Sequence, residues 1–395
     1  MSVVLYVLPD YYPEFHCRAG ECEDTCCAGW QIVIDRQSLR RYRAYRGSFR
    51  RRLFLSVQWK KKIFRQDGRK RCAFLNQENL CDLYTNLGAD SLCRTCRLYP
   101  RHIEEYENVR EISLSVSCPE AARLLLTRKE PVRFREFWRD KEEDYEEDYE
   151  EFDELLYSVL TDCRKVMLEV LQNRALPLRQ RCGLITGLAH DVQNRFDRGD
   201  LFSCQNLFDR FERILPSDAD GKTISFHRWL LETESKMNIR KNRNFPWIRE
   251  MFSFLSELEV LKEDWPLWLE ETQDWLYRGG QAAYEQIEGE FLVWLEKDDQ
   301  NWELPFEQLL VYFLFVYFCG AVYDGEILAS AQLGVVHVWL IREMLIAVWL
   351  RNGKSLRLED MTDLVCRYSR ELEHSDVNQK KIEKKMSHCR LPWLS

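Results

Sequence analysis

The pattern of apolar and polar positions is helical over most of the chain beyond about residue 150. Apolar side chains recur three and four positions apart, as at Leu155, Val159 and Leu160, and this spacing places them on one face of an α-helix. Prolines interrupt the pattern and predict helix starts or connections at Pro177, Pro216, Pro246, Pro266 and Pro305. The pattern therefore predicts a succession of helices.

Two stretches are apolar on all sides. Residues 309–323 form an uninterrupted run of 15 residues, and residues 335–350 form a second run broken by Arg342 and Glu343. A helix that crosses a bilayer needs about 18 or more apolar residues with few charges. We therefore expect two buried core helices and no membrane span.

Strand-like alternation is confined to residues 30–34 and 111–116. The expected fold class is therefore mainly α, with an irregular cysteine-rich metal-binding region over residues 1–139 and a multi-helix domain over residues 140–395. The boundary is the acidic segment 140–154, which carries eleven Asp or Glu against Lys141. Acidic residues are favoured at the start of a solvated helix, and a docking surface for a basic partner is the alternative.

Composition and charge narrow the class of protein. The chain has 395 residues, of which 45% are hydrophobic and 31% charged, as is typical of a helix-rich globular protein. Its first residues, MSVVLYVLPDYYPEF, have neither a basic start nor a small-residue cleavage site, so we expect a cytoplasmic protein rather than a secreted one.

The segment 36–71 carries fifteen Lys or Arg and one acid, Asp67. Aromatic residues among these positive charges can indicate nucleic-acid binding, but an amphipathic helical face whose charges are solvated explains them better. The net charge of −8 argues against nucleic acid and leaves an acidic protein surface as a possible partner.

Cysteines are concentrated near the N-terminus. Nine of the fifteen fall within the first 118 residues: Cys17, Cys22, Cys26, Cys27, Cys72, Cys81, Cys93, Cys96 and Cys118. Disulfides are rare in cytoplasmic proteins, so the cluster predicts a metal site. The other six are scattered, and we expect them to be ordinary thiols: Cys163, Cys182, Cys204, Cys319, Cys366 and Cys389.

Thiolate ligands suit either zinc or an iron–sulfur cluster. The adjacent pair Cys26 and Cys27 is unusual for a simple zinc knuckle, which favours a cluster, with zinc as the alternative. Radical S-adenosylmethionine enzymes hold their cluster with the motif C-x3-C-x2-C. Cys22 and Cys26 match its first two cysteines, but Gly29 occupies the position of the third, so the motif is incomplete. Our preferred ligands are Cys22, Cys26, Cys93 and Cys96; the other N-terminal cysteines could belong to this set or to a second site.

Several blocks resemble the flagellin lysine-N-methylase family. They are YPEFHC (12–17), CEDTCCAGWQIVID (22–35), LCRTCRLYPR (92–101) and SLSVSCPEAAR (113–123). The apolar helices at 309–350 and the tail YSRELEHS (368–375) extend the resemblance over nearly the whole chain. The pieces CAFL (72–75) and CDLY (81–84) are also similar to small zinc- or iron-chelating domains.

The resemblance implies methyl transfer from S-adenosylmethionine to the ε-amine of flagellin lysines, with a cysteine-bound [4Fe–4S] cluster. Such an amine must lose its proton before it can attack. Tyr99, His102, Glu104 and Glu120 are candidate proton acceptors near the motifs, although none is selected by its spacing, and each is better explained as structural.

The binding site for S-adenosylmethionine is not visible in the sequence. A glycine-rich turn of the Rossmann type is missing, and the pair Gly279–Gly280 is better explained as a helix end. One hypothesis is that an open iron of the cluster binds the cofactor's amino and carboxylate groups. The rival functional class is a non-enzymatic zinc- or iron-binding module that senses redox state or scaffolds a complex.

Overall fold

The computed structural model describes residues 3–22, 24–140, 152–214 and 241–388. The strands in these ranges are β1 (Val3–Pro9), β2 (Val57–Gln58), β3 (Ile63–Phe64), β4 (Arg101–Tyr106), β5 (Val109–Leu114) and β6 (Phe134–Asp140). The helices are α1 (Arg36–Ala44), α2 (Arg50–Ser56), α3 (Asp82–Leu87), α4 (Arg94–Leu98), α5 (Pro119–Leu126), α6 (Glu154–Leu171), α7 (Leu178–Asp197), α8 (Cys204–Ile214), α9 (Lys241–Ser256), α10 (Trp265–Tyr277), α11 (Gly280–Lys297), α12 (Glu303–Tyr317), α13 (Ile327–Arg351), α14 (Leu358–Glu373) and α15 (Asp376–His388). The expectation of a mainly helical protein is confirmed.

Four strands form a mixed sheet in the order β4-β5-β1-β6. Strand β1 pairs in parallel with β5, where Leu5 faces Val109, and antiparallel with β6, where Leu5 faces Trp138. The sheet contradicts the expectation of an irregular N-terminal region. The strand predicted at 111–116 is confirmed over part of β5, whereas the strand predicted at 30–34 is wrong, because only Val33 makes a single bridge, to Ile63.

Residues 10–100 form an insert between β1 and β4, two strands of the same sheet. The insert contains α1 to α4, the β2–β3 hairpin and eight of the nine N-terminal cysteines. It has its own small hydrophobic core, composed of Ile32, Ile34, Leu39, Tyr42, Leu53, Val57, Phe64, Cys72, Phe74, Leu83 and Cys93. The insert therefore packs around its own apolar side chains as well as against the rest of the protein.

The helices α12 and α13 lie at the centre of the larger core. By length and composition, α13 and the 20-residue segment formed by α12 and the 3-10 turn after it (Glu303–Val322) could each cross a membrane, but 83% and 89% of their most apolar stretches are buried inside the protein. Their all-round apolar character is what a helix covered on every side requires. The expectation of two buried core helices is confirmed.

The signals at helix ends are mostly confirmed. Pro177 precedes α7, and Pro266 and Pro305 lie in the first turns of α10 and α12. Gly280 begins α11 with φ of +77°, as expected for a residue at a helix junction. Pro246 lies inside α9, so the helix break predicted there is wrong; Pro216 is outside the described residues.

The larger core includes residues on both sides of the proposed boundary at 140, such as Tyr106 and Leu125 before it and Leu160 after it. The boundary itself stays a prediction. Asp140 ends β6, and Asp153 caps α6 by accepting the backbone N–H of Leu156 at 2.9 Å. Residues 141–151 of the acidic segment lie outside the described part of the chain.

Candidate functional site

A cavity of about 940 Å³ lies between the insert and the C-terminal helices. The insert contributes Trp30 and Tyr99 to its wall, α12 contributes Tyr312, and the end of α14 contributes Glu373 and His374. The volume lies in the range of pockets that hold small molecules. Three regions far apart in sequence therefore meet at one cleft.

Glu373 is the carboxylate at the centre of this wall. Its Oε2 accepts hydrogen bonds from Ser115 Oγ at 2.7 Å and from the Tyr312 hydroxyl at 3.0 Å. Among the described residues, its Oε1 is buried and has no hydrogen-bond partner. Burial raises the pKa of Glu373, although the hydrogen bond from Ser115 lowers it in part.

His374 follows directly and closes α14. Its Nε2 lies 2.8 Å from Ser117 Oγ, which is in turn 2.6 Å from Ser115 Oγ. Burial, together with the nearby positive charge of Arg370, lowers the pKa of His374 to about 4. The imidazole is therefore neutral near pH 7, and its Nδ1 has no hydrogen-bond partner within the described structure.

Aromatic rings form another part of the wall. The Trp30 ring centroid lies 4.7 Å from that of His374 and 5.8 Å from that of Tyr99. The Tyr99 hydroxyl lies 3.1 Å from Ser117 Oγ, and burial raises the pKa of Tyr99 well above its usual range. The tryptophan also connects the cavity to the cysteines, since its Nε1 donates to the carbonyl of Cys26 at 2.8 Å.

Arg370 connects α14 to the cysteine-bearing loop. Its Nε donates to the carbonyl of Ser117 at 2.9 Å, and its guanidinium also lies 2.5 Å from the Asp24 carboxylate. Lys262 pairs with the same carboxylate at 3.1 Å. Because Asp24 lies between Cys22 and Cys26, this pairing holds the loop against the helix that carries Glu373 and His374.

The N-terminal cysteines fall into two neighbourhoods. Cys17, Cys22, Cys26 and Cys118 interact electrostatically with one another, and Cys27, Cys72, Cys81, Cys93 and Cys96 form a second such group. Cys26 and Cys27 join the two groups, since a hydrogen bond from Cys26 lowers the pKa of Cys27 to about 7. Of the four preferred ligands, Cys22 and Cys26 therefore lie in the first group, and Cys93 and Cys96 lie in the second.

The thiols do not converge on one point. All nine are free, and eight of them are at least partly buried. Within the described residues, however, no three His, Cys, Asp or Glu side chains stand in an arrangement that could hold a metal ion. The donor type fits zinc or an iron–sulfur cluster, but the positions of the thiols do not, so the metal site stays a prediction.

The other cysteines lie where ordinary thiols are expected. Cys163, Cys204, Cys319 and Cys366 are buried and Cys182 is partly buried, which is usual for free cysteine. Cys389 lies outside the described residues.

Only some of the candidate proton acceptors line the cavity. Tyr99 and His102 line the cavity, and His102 Nε2 lies 2.5 Å from the Glu104 carboxylate. Glu120 is held by Arg123 at 2.5 Å and is not part of the cavity wall.

The sequence analysis did not select Glu373 or His374 as candidates. The only signal for them was the block 368–375, which carries part of the family resemblance.

The basic segment 36–71 forms α1, α2 and the β2–β3 hairpin. Some of its charges have partners, as where Arg52 lies 2.6 Å from Asp82 and Arg43 stacks over Trp59. Phe54 and Leu55 are exposed beside them. These contacts do not decide whether the basic segment is a solvated face or binds a protein partner, so both interpretations stay predictions.

Comparison with known proteins identifies the class. Residues 164–391, more than half of the chain, match the family described as FliB lysine N-methylase C-terminal domain. The chain therefore belongs to the FliB lysine N-methylase family. The matched region contains Tyr312, Glu373 and His374 of the cavity wall.

Individual relatives match over shorter lengths. A Lysine-N-methylase of Salmonella typhimurium is 28% identical over 144 residues, which are 34% of this chain and 36% of that protein; a Lysine-N-methylase of Salmonella choleraesuis matches equally. The flagellar biosynthetic protein FliU of Salmonella muenchen is 29% identical over 134 residues, 32% of this chain and 79% of that protein. The chain thus matches about a third of the length of the curated lysine methylases, and no solved structure matches it.

Proposed function

We propose that this protein is a protein lysine N-methyltransferase that transfers a methyl group from S-adenosylmethionine to the ε-amine of flagellin lysines in the cavity. The observation that carries the proposal is the composition of the cavity wall, where helices of the family-matched region meet the blocks around Trp30 and Tyr99. The names of the relatives, a lysine methylase and a flagellar biosynthetic protein, support the same substrate.

The chemistry of the wall suits an amine substrate. A lysine ammonium has an ordinary pKa near 10.4, so it must lose a proton before its nitrogen can attack a methyl group. The cavity offers a carboxylate at Glu373, a neutral imidazole at His374 and aromatic rings that attract cations. S-Adenosylmethionine, when bound, supplies a methyl group on a positively charged sulfur.

We propose a [4Fe–4S] cluster for the N-terminal cysteines, with zinc as the alternative. Free thiols in two neighbourhoods joined at Cys26 and Cys27 support it by donor chemistry. Among the described residues, no three such side chains stand in a metal-binding arrangement, and we derive no step of the reaction from the cluster. Iron and sulfide in protein purified without oxygen would support it, and colourless protein that contains only zinc would contradict it.

The methyltransferase proposal is tested by expressing flagellin with this protein and measuring the mass of flagellin peptides. We expect lysine peptides heavier by one or more methyl groups. Trp30→Ala should lower their yield at least tenfold, because Trp30 packs against His374 in the cavity wall. Trp138→Ala is the matched control, since Trp138 is 65% exposed on β6 and should leave methylation unchanged.

Two results would contradict the proposal. Flagellin that stays unmodified beside folded, metal-loaded protein would refute the methyltransferase and favour the metal-binding scaffold. Equal methylation by the Trp30 and Trp138 variants would place the reaction outside this cavity.

A further inference from the structure

Glu373 has one oxygen fixed by hydrogen bonds and the other buried, whereas Glu259, which also lines the cavity and accepts a hydrogen bond from Ser375 at 2.7 Å, is exposed to solvent. Ser115 and Tyr312 both donate to Oε2, while Oε1 is buried without a hydrogen-bond partner of good geometry in the described structure. The Ser369 hydroxyl lies close enough to the carboxylate to lower its pKa, but its oxygen also lacks a well-aligned partner. A buried acceptor without a donor is costly in a folded protein. We propose that Glu373 binds the ammonium of the incoming lysine through Oε1 and accepts its proton, an inference that rests on the proposed function.

Neighbouring groups are less suited to this role. The oxygens of Glu371, two residues earlier, accept the backbone N–H groups of Leu261 at 2.8 Å and Lys262 at 2.6 Å. The carboxylate of Glu371 is therefore used to hold the polypeptide together. Asp376 lines the cavity but is exposed to solvent, where a carboxylate stays a weak base.

The two histidines are also less suited. His374, with a pKa of about 4, holds a proton too weakly to take one from an ammonium. His102 is engaged by Glu104, and this hydrogen bond raises its pKa against the effect of burial. Burial of Glu373 acts in the useful direction, since it raises the pKa of the carboxyl and strengthens the base.

The aromatic lining supports binding of the charged form of the substrate. Trp30 and Tyr317 lie in the same wall as Glu373, and aromatic faces attract ammonium groups, methylated ones included. An ammonium held among rings and one carboxylate would be desolvated, which weakens its hold on the proton. The rings and the carboxylate together therefore fit a primary or partly methylated alkylammonium group.

The proposed step balances in atoms and charge. One N–H proton of the lysine ammonium moves to Oε1, which leaves a neutral amine and a neutral Glu373 carboxylic acid. The nitrogen lone pair forms the new N–C bond as the methyl–sulfur bond breaks, and the electrons of that bond stay on sulfur as a thioether. The product nitrogen carries the positive charge that the sulfur has lost.

The test compares Glu373→Gln with the wild-type protein in a flagellin methylation assay. Glutamine keeps an oxygen for Ser115 and Tyr312 but cannot take a proton, so we expect the rate at pH 7 to fall at least 100-fold. The rate of this variant should then rise about tenfold per pH unit between pH 7 and 9, because only lysine that is already deprotonated can react. The wild type should rise far less steeply.

Glu359→Gln is the matched control. Glu359 lies in the exposed first turn of the same helix, 14 residues before Glu373, which is about 21 Å along the axis. This variant should match the wild type in rate and in pH profile. If Glu373→Gln fails to fold, Glu373→Asp replaces it: this variant retains an acid and should keep the wild-type pH profile at a reduced rate.

Two results would overturn the inference. One is a Glu373→Gln rate at pH 7 within threefold of the wild type; the other is a tenfold-per-unit pH slope in Glu373→Asp. If the wild type itself leaves flagellin unmodified, the proposed function fails, and n-butylammonium binding then tests Glu373 separately. Binding weakened at least tenfold by Glu373→Gln would support the ammonium site, and binding that is equal or undetectable would refute it.

Discussion

The buried ion pair between Glu111 of β5 and Arg164 of α6 should make a large contribution to the stability of the fold. Both side chains are less than 10% exposed, and the guanidinium engages both carboxylate oxygens, one of them at 2.6 Å. The same guanidinium donates to the carbonyl of Phe315 at 2.9 Å and stacks over its ring at 4.9 Å. One arginine therefore joins the sheet to both α6 and α12.

Removing one partner leaves the other charge buried without compensation, which costs about 3–5 kcal/mol. We expect Glu111→Ala to lower the free energy of unfolding by this amount, a large share of a total of about 5–15 kcal/mol. Replacing the pair together, by Glu111→Leu with Arg164→Met, removes both charges and should restore all but about 1 kcal/mol. Urea unfolding, followed through the transition midpoint and slope, measures each difference.

A surface pair provides the control. Glu290 lies 2.7 Å from Lys354, but the two side chains are 39% and 54% exposed, so Glu290→Ala should cost less than about 1 kcal/mol. A Glu111→Ala protein within about 1 kcal/mol of the wild type would refute this reasoning. A double variant as unstable as Glu111→Ala alone would show that the cost arises from packing rather than from the unpaired charge.

Three further predictions concern acid stability, the metal and the cavity. His337 is buried beside the Tyr368 hydroxyl at 2.8 Å, and burial lowers its pKa to about 3; since the unfolded chain binds the proton near pH 6.5, the free energy of unfolding should fall as pH drops from 6.5 towards 3, by about 1.4 kcal/mol per unit. His337→Phe should flatten that slope in urea titrations, and an unchanged slope would contradict the assignment. Cys93→Ser should lower bound iron in protein purified without oxygen, whereas Cys163→Ser, at a buried cysteine of α6, should not; equal iron in both would remove Cys93 from the ligands. Tyr99→Phe removes the hydroxyl that lies 3.1 Å from Ser117 and should lower the methylation rate a few-fold without shifting the unfolding midpoint, so a rate equal to the wild type would show that this contact does not matter for the reaction.

Helices could be predicted from the sequence because their signal is local. The three- and four-residue spacing at Leu155, Val159 and Leu160 corresponds to α6, and the two all-apolar runs correspond to α12 and α13. The sheet could not be predicted in this way. Strand β1 pairs with residues more than 100 positions away, and β6 is an edge strand whose side chains are mostly exposed, so it lacks regular apolar alternation.

The candidate site shows the same division. Tyr99 and His102 were candidates because they lie beside the cysteine motifs, and both line the cavity. Glu120 was a candidate for the same reason, yet its carboxylate pairs with Arg123, three residues later on the same helix, and does not line the cavity. Glu373 reaches Ser115 across 258 positions of sequence, and a contact of that range has no periodic signature.

The order of the strands determines how the insert 10–100 is attached. Strand β4 is two places from β1 in the sheet and runs antiparallel to it. Pro9, where β1 ends, and Arg101, where β4 begins, therefore lie at the same end of the sheet, about 10 Å apart. A linker of three or four residues could bridge that gap. All the N-terminal cysteines except Cys118 could thus be excised as one unit, whereas cutting the chain after Cys118 would remove β6 from the sheet. For protein engineering, the insert is a natural cassette for exchange between homologues, provided that Tyr11 and Phe15, which pack in the larger core, and the pairing of Asp10 with Arg128 are kept.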